Sequence, residues 1–188
     1  MLEVKKQIQK LSKEFNFLNC LETGTIRTYT ERHESTRHIS EVIGINGTLK
    51  SIDIDPKSIM ISQTICNNAK NVEWVLSDSI EYLKIDKDIY HFVLLDSVND
   101  PAHIFKEFKL VAKKMYLNGV VMVDDAGVDF NKVPLQSRSS HRPIKGLDVN
   151  SFLLENDFDY SIVRGGHAGN QLFIKMDENN LAKINELL

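Results

Sequence analysis

Short apolar runs alternate with segments of helical spacing along this chain, and this alternation constrains the fold more than any other feature. The apolar runs have the length of strands and lie at residues 17–21, 48–53, 72–76, 90–95 and 119–123. A predicted helix follows each of them, at residues 35–43, 56–68, 79–84, 101–116 and 147–156. The run at 90–95 is apolar almost throughout, as expected of a strand that is covered on both faces.

This repeated order predicts an α/β fold with a doubly wound, mostly parallel sheet and helices on both faces. Two last strands, at residues 160–164 and 171–176, flank a glycine-rich turn and should form a C-terminal antiparallel hairpin, which makes seven strands. Further helices are predicted at residues 2–14 and 178–188. The chain has 188 residues and no linker-like stretch, so we expect one domain over residues 1–188.

Composition argues against several classes of partner. Hydrophobic residues make up 42% of the chain and charged residues 26%, as in globular proteins with a buried core. The formal net charge is −3, so no basic surplus is present to neutralise a phosphate backbone, and we expect no nucleic-acid partner. No apolar run is long enough to span a bilayer, and the N-terminus lacks a signal-peptide pattern, so we expect no membrane partner.

The two cysteines, Cys20 and Cys66, lie far apart and lack the spacing of a metal site. We expect both to be buried, reduced thiols, which is typical of a cytoplasmic protein.

Acidic residues follow nearly every predicted strand, and they are Glu22, Asp53, Asp78, Asp96, Asp124 and Asp125. In an open parallel sheet the carboxyl ends of the strands share one edge, where ligands bind beside the point at which the strand order reverses. The sequence therefore predicts a site for hydroxyl groups, amines or cations at this edge. Neither GxGxxG nor GxxxxGK[ST] is present, which argues against a dinucleotide or a nucleoside triphosphate as the ligand.

The segments after the first two strands resemble those of class I S-adenosylmethionine-dependent methyltransferases, and the resemblance covers about residues 16–125. Glu22, Thr23, Gly24 and Thr25 are similar to the acidic-x-Gly signature of that family. There the glycine lets the backbone approach the methionine part of the cofactor, and the acid lies near its ammonium group. Asp53 ends the second strand and resembles the acid that binds both ribose hydroxyls.

The next two strand ends extend this resemblance. Asp78 and Ser79 resemble the residues beside the adenine amino group, and Asp96 stands where the family places residues that face the methyl group and the substrate. The resemblance therefore implies S-adenosylmethionine as cofactor and a Rossmann-like sandwich. One feature departs from the family, because Gly24 stands alone and is followed by a polar insert, residues 25–34, which is expected to fold over the cofactor or the substrate.

The acids Asp96, Asp124 and Asp125 resemble the metal ligands of the divalent-metal O-methyltransferases of the catechol and caffeoyl type, with an Asp replacing the usual Asn at Asp125. That resemblance implies Mg²⁺, which prefers oxygen ligands and would lower the pKa of an acceptor hydroxyl. The alternative is that the Asp pair caps the turn after the fifth strand. Without a metal, the mutual repulsion of the three carboxylates would raise at least one pKa and could leave a general base.

His167 lies in the turn between the last two strands, at the same edge of the sheet. Its ordinary pKa is near neutral, so Asp96 and His167 are the predicted catalytic residues. The alternative for His167 is an ordinary flexible hairpin turn or a contact with substrate. His141, Arg142 and Lys145 could hold an anionic substrate, although a solvated basic loop is the simpler interpretation.

The resulting prediction is an enzyme that transfers a methyl group from S-adenosylmethionine to a small molecule, at a hydroxyl oxygen and with Mg²⁺ as a candidate second cofactor. The chain is near the minimal size for this fold, and a homodimer could complete the walls of the site. Two alternatives remain: a non-catalytic cofactor-binding module, or a relative of cephalosporin hydroxylase on the same fold. Cofactor binding without turnover would distinguish the module from the enzyme.

Overall fold

A computed structural model of the chain describes residues 2–28, 35–135, 144–164 and 169–188. Seven strands form one sheet in the order β3-β2-β1-β4-β5-β7-β6. The strands are β1 (Leu18–Thr23), β2 (Gly47–Asp53), β3 (Val72–Leu76), β4 (Tyr90–Leu95), β5 (Met115–Val123), β6 (Ser161–Val163) and β7 (Gln171–Met176). The first five strands pair in parallel, and β7 pairs antiparallel with both β5 and β6, so the predicted fold class is confirmed.

The helices of the described residues are α1 (Leu2–Glu14), α2 (Ser35–Ile43), α3 (Pro56–Ile65), α4 (Ser79–Ile85), α5 (Pro101–Ala112), α6 (Leu147–Glu155) and α7 (Glu178–Leu187). Asp residues begin several of them, because a carboxylate oxygen can accept the free backbone N–H groups of the first turn. Asp100 does this for α5 and Asp177 for α7. In the ranges that the structure describes, no helix combines the length and the apolar content needed to cross a lipid bilayer.

Side-chain alternation along the strands divides the core between the two faces of the sheet. In β4, Phe92 and Leu94 pack with the apolar faces of α1 and α2, whereas Val93 and Leu95 pack with α5, α6 and α7. All six residues of β4 are buried, as expected for a central strand with helices on both sides. Cys20 and Cys66 are both buried, and neither forms a disulfide bond, as predicted.

The boundary between α5 and β5 differs from the sequence prediction. The helix was expected to continue to residue 116, but it ends at Ala112, and β5 already begins at Met115. The Lys114 carbonyl accepts the Tyr90 N–H at 2.7 Å, which draws the chain into the sheet four residues early. The register shifts between Tyr90 and Phe92 to accommodate these residues, and Asn118 adopts a positive φ of 65°.

The strand order reverses between β1 and β4. From β1 the chain moves outward to β2 and β3, and it then returns to β4 on the other side of β1. Crossover connections that leave in opposite directions open a crevice at the carboxyl ends of these two strands. The residues that follow β1 and β4 are therefore the expected walls of a ligand site.

At the amino-terminal ends of the strands, away from this crevice, His91 is buried between aromatic rings. Its imidazole stacks on Tyr116 with the ring centroids 4.1 Å apart, and it meets Phe15 edge-on at 4.5 Å. Its Nδ1 accepts the Asn19 backbone N–H at 2.9 Å, so this tautomer carries its proton on Nε2. Burial lowers the pKa of His91 below its ordinary value because the imidazolium ion is poorly solvated there.

This pKa shift predicts a pH-dependent contribution to stability. The unfolded chain binds a proton at His91 near pH 6.5, whereas the folded chain resists it, so stability from this group is present above about pH 6.5 and is lost as the pH falls. His91→Phe keeps the aromatic stack but does not titrate. Urea unfolding between pH 5 and 8 should therefore show wild type losing stability relative to His91→Phe as the pH falls. A constant difference over that range would contradict the assignment.

Candidate active site

A cavity of about 250 Å³ lies at the carboxyl ends of the strands, in the crevice where the strand order reverses. Four strand ends and the first turn of α5 line it, through Gly24, Ile52, Asp53, Ile54, Ser77, Asp78, Ser79, Ser97, Val98 and His103. Of the predicted cofactor residues, Gly24, Asp53, Asp78 and Ser79 are brought together here. The strand-end rule pointed to Asp53 and Asp78, and the family resemblance added Gly24 and Ser79.

Gly24 lies where the ends of β1 and β4 touch. Its φ is +80°, and a Cβ at this position would come within 2.5 Å of the Asp96 carbonyl oxygen and 3.0 Å of Ser97 Cα. A side chain here would therefore be strained and would force the two strand ends apart. From the sequence, this glycine is expected to make room for a cofactor. In the structure it makes room for the backbone of the neighbouring strand.

Asp53 ends β2 with its carboxylate held by two backbone N–H groups. Oδ2 accepts from Thr25 N at 3.1 Å, and Oδ1 accepts from Asp55 N at 2.9 Å. Each carboxylate oxygen can accept more than one hydrogen bond, so both oxygens keep capacity for a ligand in the cavity. The orientation of this carboxylate is thus fixed before any ligand binds.

Asp78 and Ser79 begin α4 at the next strand end. Asp78 caps the helix, since its Oδ1 accepts the Glu81 N–H at 3.0 Å. Ser79 donates its hydroxyl to Glu107 on α5, beneath the cavity. The Ser79 side chain, which lines the cavity, thus joins α4 to α5 through this hydrogen bond.

Glu107 is a fully buried carboxyl group that sequence reasoning does not single out. Thr23 Oγ1 donates to its Oε2 at 3.0 Å, and His103 Nε2 lies 3.3 Å from its Oε1. The hydrogen bond to Glu107 raises the pKa of His103, which lines the cavity. One sequence signal could have identified Glu107: a His and a Glu stand four residues apart in the first turns of a helix that follows a strand end.

Glu22 does not lie in the cavity. Successive side chains of a strand point to opposite faces, so Glu22 points toward α2, and Thr23 points toward α5. Hydroxyl groups of Ser35, Thr36 and Ser51 all donate to the Glu22 carboxylate, with Thr36 at 2.6 Å and Ser51 at 3.1 Å. Burial raises the pKa of Glu22 to about 7 despite these donors. In this structure Glu22 therefore fastens α2 to the sheet, and its contact with a cofactor ammonium group stays a prediction.

Thr23 and Thr25, which were also predicted to contact the cofactor, form hydrogen bonds within the protein. Thr23 is fully buried on Glu107, as described above. The Thr25 hydroxyl donates to Ser62 Oγ on α3 at 2.6 Å. Both threonines therefore hold the loop after β1 in place, and Thr25 acts on the cavity through the backbone N–H that binds Asp53.

One polar atom of the cavity wall has no partner among the described residues. Ser97 Oγ is buried and forms no hydrogen bond there. A buried hydroxyl without a partner is uncommon, because its desolvation is not compensated. The oriented Asp53 carboxylate and the Gly24 backbone, which both line the cavity, fit a polar ligand with hydroxyl groups.

Asp96 forms the rim on the other side of the crevice. Its side chain is 31% exposed, and Lys145 donates to its Oδ1 from a side chain that is 9% exposed. Burial and the nearby Asp124 carboxylate raise the pKa of Asp96 to about 6, although Lys145 opposes them. Arg27 lies beside this pair, with its Nη2 donating to the Asp96 carbonyl oxygen at 3.2 Å.

The Asp pair after β5 lies at the same rim. Asp124 Oδ1 accepts from Gln171 Nε2 at 2.8 Å, which leaves Gln171 Oε1 buried without a partner in the described ranges. Asp125 has a positive φ of 44°, and its carbonyl accepts the Lys145 N–H at 3.0 Å. The turn after β5 thus fixes the position of the Lys145 backbone.

The magnesium site predicted at Asp96, Asp124 and Asp125 does not fit this arrangement. No group of three His, Cys, Asp or Glu side chains within the described part of the chain has the geometry of a metal site. The Asp96 carboxylate is bound by a cation of the chain itself, Lys145, and one oxygen of Asp124 is bound by Gln171. The interpretation that kept the Asp pair as part of a turn agrees better with these contacts.

Several predicted residues lie outside the described residues. These are His167, His141, Arg142 and residues 29–34 of the predicted insert. The predicted catalytic role of His167 therefore stays a prediction.

Comparison with known proteins supports the fold. No protein-family model matches the chain, and no curated protein matches it. Among solved structures, the chain is similar to cofactor-bound Rv0187 from MTB, with 16% identity, a TM-score of 0.67 and coverage of 94% of this chain and 81% of that one. The chain is also similar to the O-methyltransferase TomG from Streptomyces achromogenes in complex with SAM. The identity is 17%, the TM-score is 0.65, and the match covers 93% of this chain and 79% of that one.

An N-methyltransferase, NodS from Bradyrhizobium japonicum in complex with S-adenosylhomocysteine, is similar at 13% identity and a TM-score of 0.58, with coverage of 94% and 87%. The chain therefore has the Rossmann-like fold found in S-adenosylmethionine-dependent methyltransferases, as the sequence resemblance implied. The resemblance now extends beyond the first five strands to the C-terminal antiparallel strands.

Removal of the Glu107 carboxyl group tests the brace beneath the cavity. Glu107→Ala leaves the hydroxyls of Thr23 and Ser79 without their buried acceptor, so the free energy of unfolding should fall by about 3 kcal/mol. Urea denaturation measures the change, and Glu155→Ala, at an exposed acid on α6, is the matched control. A loss no larger than that of the control would show that Glu107 braces nothing.

Proposed function

We propose that this protein is an S-adenosylmethionine-dependent methyltransferase that acts on a hydroxyl group of a small molecule. The observation that carries the proposal is the cavity in the crevice between β1 and β4, with the pre-oriented Asp53 carboxylate on its wall. The similarity in fold to methyltransferases, two of them with SAM or S-adenosylhomocysteine bound, supports the choice of cofactor.

Different strand ends would hold different parts of the cofactor. Asp53 would accept hydrogen bonds from the two ribose hydroxyls, since a carboxylate presents two acceptor oxygens to a cis-diol. Asp78 and Ser79 would lie beside the adenine, and the backbone at Gly24 would face the methionine part. When bound, S-adenosylmethionine supplies an electrophilic methyl group on a sulfonium sulfur.

Asp96 is the residue that we assign to proton removal from the acceptor. It ends β4 at the crevice, partly exposed, and its raised pKa of about 6 makes it a better base than an ordinary Asp. As the new O–C bond forms and the C–S bond breaks, the hydroxyl proton would pass to the Asp96 carboxylate. The acceptor gains a methyl group, and the positive charge on sulfur is neutralised.

The charges at this rim favour an oxygen acceptor over an amine. Lys145 lies on Asp96, and Arg27 lies on the neighbouring backbone carbonyls. Each cation can donate a hydrogen bond to a hydroxyl or phenol oxygen, whereas neither can accept one from a protonated aliphatic amine. The proposal does not include Mg²⁺, which would have to compete with Lys145.

The ribose assignment predicts the effect of one substitution on cofactor affinity. Asp53→Asn should weaken binding of S-adenosylhomocysteine at least about 30-fold, because a hydrogen bond to a charged group is worth roughly 2 kcal/mol. Isothermal titration calorimetry measures this, with Glu73→Gln, an exposed acid on β3, as the control that should bind like wild type. Equal affinity of Asp53→Asn and wild type would refute the assignment, and failure of wild type to bind would refute the proposed function.

Turnover tests the acceptor class. With S-adenosylmethionine and matched pairs of hydroxyl and amine compounds, release of S-adenosylhomocysteine should occur with hydroxyl members, in the presence of a chelator as well as without one. Transfer only to amines would contradict the oxygen assignment. Cofactor binding without turnover on either class would favour a non-catalytic binding module.

A further inference from the structure

A groove between α4 and α5 borders the candidate active-site cavity and is larger than it. Its volume is about 640 Å³, against about 250 Å³ for the cavity, and Asp78 and His103 belong to the walls of both. A volume of this size is typical of small-molecule sites. The proposed contacts of S-adenosylmethionine all lie in the cavity, so the proposed function does not account for the groove.

The part of the groove away from the cavity is positively charged. His103, Lys106 and Lys109 recur every three residues along α5, so they lie on one side of the helix and line the groove. Lys84 on α4 also lines it and is paired with Glu81 at 2.6 Å. Among the described residues, neither Lys106 nor Lys109 has a carboxylate partner. Their two positive charges are therefore uncompensated.

These two charges are displaced from the end that the groove shares with the cavity. At that end, the Glu107 carboxylate lies 3.3 Å from His103 Nε2 and offsets any charge on the imidazole. Lys109 lies about 9 Å further along the helix axis than His103. Its Nζ lies 4.8 Å from the centroid of the Phe105 ring, which restricts its side chain. The cationic part of the groove thus lies beside the cavity and not within it.

Two uncompensated ammonium groups in a groove of this size indicate a small anion with more than one charge. An ammonium group is a point charge with three N–H donors, which suits phosphate oxygens. Ile80 and Leu110 add apolar contact area to the same walls. A nucleic acid fits less well, because the charged stretch is only about 9 Å long and the chain has a net charge of −3.

We propose that this groove binds a small oligophosphate, either free or as the phosphate part of a nucleotide, at the same time as a ligand occupies the cavity. The phosphate groups would lie between Lys106 and Lys109 on α5 and Lys84 on α4. Asp78 would repel an anion at the shared end, so the phosphates would stay out of the cavity. This site is independent of the proposed function.

Isothermal titration calorimetry with inorganic tripolyphosphate at low ionic strength tests the site. Wild type should bind it with a Kd below about 1 mM, and inorganic phosphate should bind at least about tenfold more weakly. Lys106→Gln/Lys109→Gln should weaken tripolyphosphate binding at least about tenfold, because both lysines lose the charge that faces the phosphates. Lys106→Arg/Lys109→Arg keeps both charges and should bind within about threefold of wild type.

The matched control is Lys10→Gln/Lys13→Gln on α1. Like Lys106 and Lys109, these lysines are exposed and stand three residues apart on one helix, and their replacement changes the net charge equally. The control should bind tripolyphosphate like wild type. All four lysines are exposed, so both double variants should keep the fold, which circular dichroism verifies.

Uridine triphosphate, which lacks the adenine of the proposed cofactor, distinguishes the two sources of the phosphate groups. If it binds more tightly than tripolyphosphate and loses affinity in Lys106→Gln/Lys109→Gln, the occupant is a nucleotide whose organic part contacts Ile80 and Leu110. Equal or weaker binding than that of tripolyphosphate assigns the groove to a free oligophosphate.

Three results would overturn the proposal. The first is absence of tripolyphosphate binding to wild type. The second is a loss in Lys106→Gln/Lys109→Gln no larger than in the control variant. The third is displacement of tripolyphosphate by S-adenosylhomocysteine, which would place the anion in the cavity. Failure of wild type to bind S-adenosylhomocysteine refutes the proposed function alone, because the tripolyphosphate titration needs no cofactor.

Discussion

The close approach of the ends of β1 and β4 is the constraint on which the site depends. Gly24 has no side chain and a positive φ, so the Asp96–Ser97 backbone can lie directly against it. This contact occurs at the point where the strand order reverses, which is also where the crevice opens. It brings the loop after β1, whose Thr25 N–H binds the Asp53 carboxylate, next to the end of β4, which Asp96 follows. A residue with a Cβ at this position would separate the two walls of the cavity.

Buried carboxyl groups stabilise the elements around this contact. Glu22 points to one face of the sheet and receives hydroxyls from α2 and β2, whereas Glu107 reaches β1 and α4 from the other face. Each acid can affect the shape of the cavity without touching a ligand, because it fixes the start of a helix or the end of a strand beside the cavity. Such groups are costly to bury alone, and the hydroxyl donors around them offset that cost.

The sequence alone predicted the sheet, because the spacing of hydrophobic residues reflects which side chains are buried. It also predicted the cavity positions of Asp53 and Asp78, since both end or follow parallel strands whose carboxyl ends share one edge. The contacts of Glu22 with α2 were not predicted, because the first strand was expected to end at residue 21. The strand continues through Thr23, so Glu22 still follows its alternation and faces α2. Lys145 and Asp96 are 49 positions apart, and no spacing rule connects them. The packing of Gly146 on Ala126 and the hydrogen bond from the Lys145 N–H to the Asp125 carbonyl hold the lysine at the rim.

The site is divided between two stretches of the chain. The cavity assigned to the cofactor is lined by residues 24–103, whereas Asp124, Lys145 and Gln171 at the rim all come from later in the chain, and Asp96 and Ser97 border both parts. Under the proposed function, substitutions after residue 123 would alter the acceptor side while the cofactor side keeps its contacts. A lineage of such proteins can diverge in what it modifies and retain the same methyl donor, with Asp96 as the residue that must remain compatible with both.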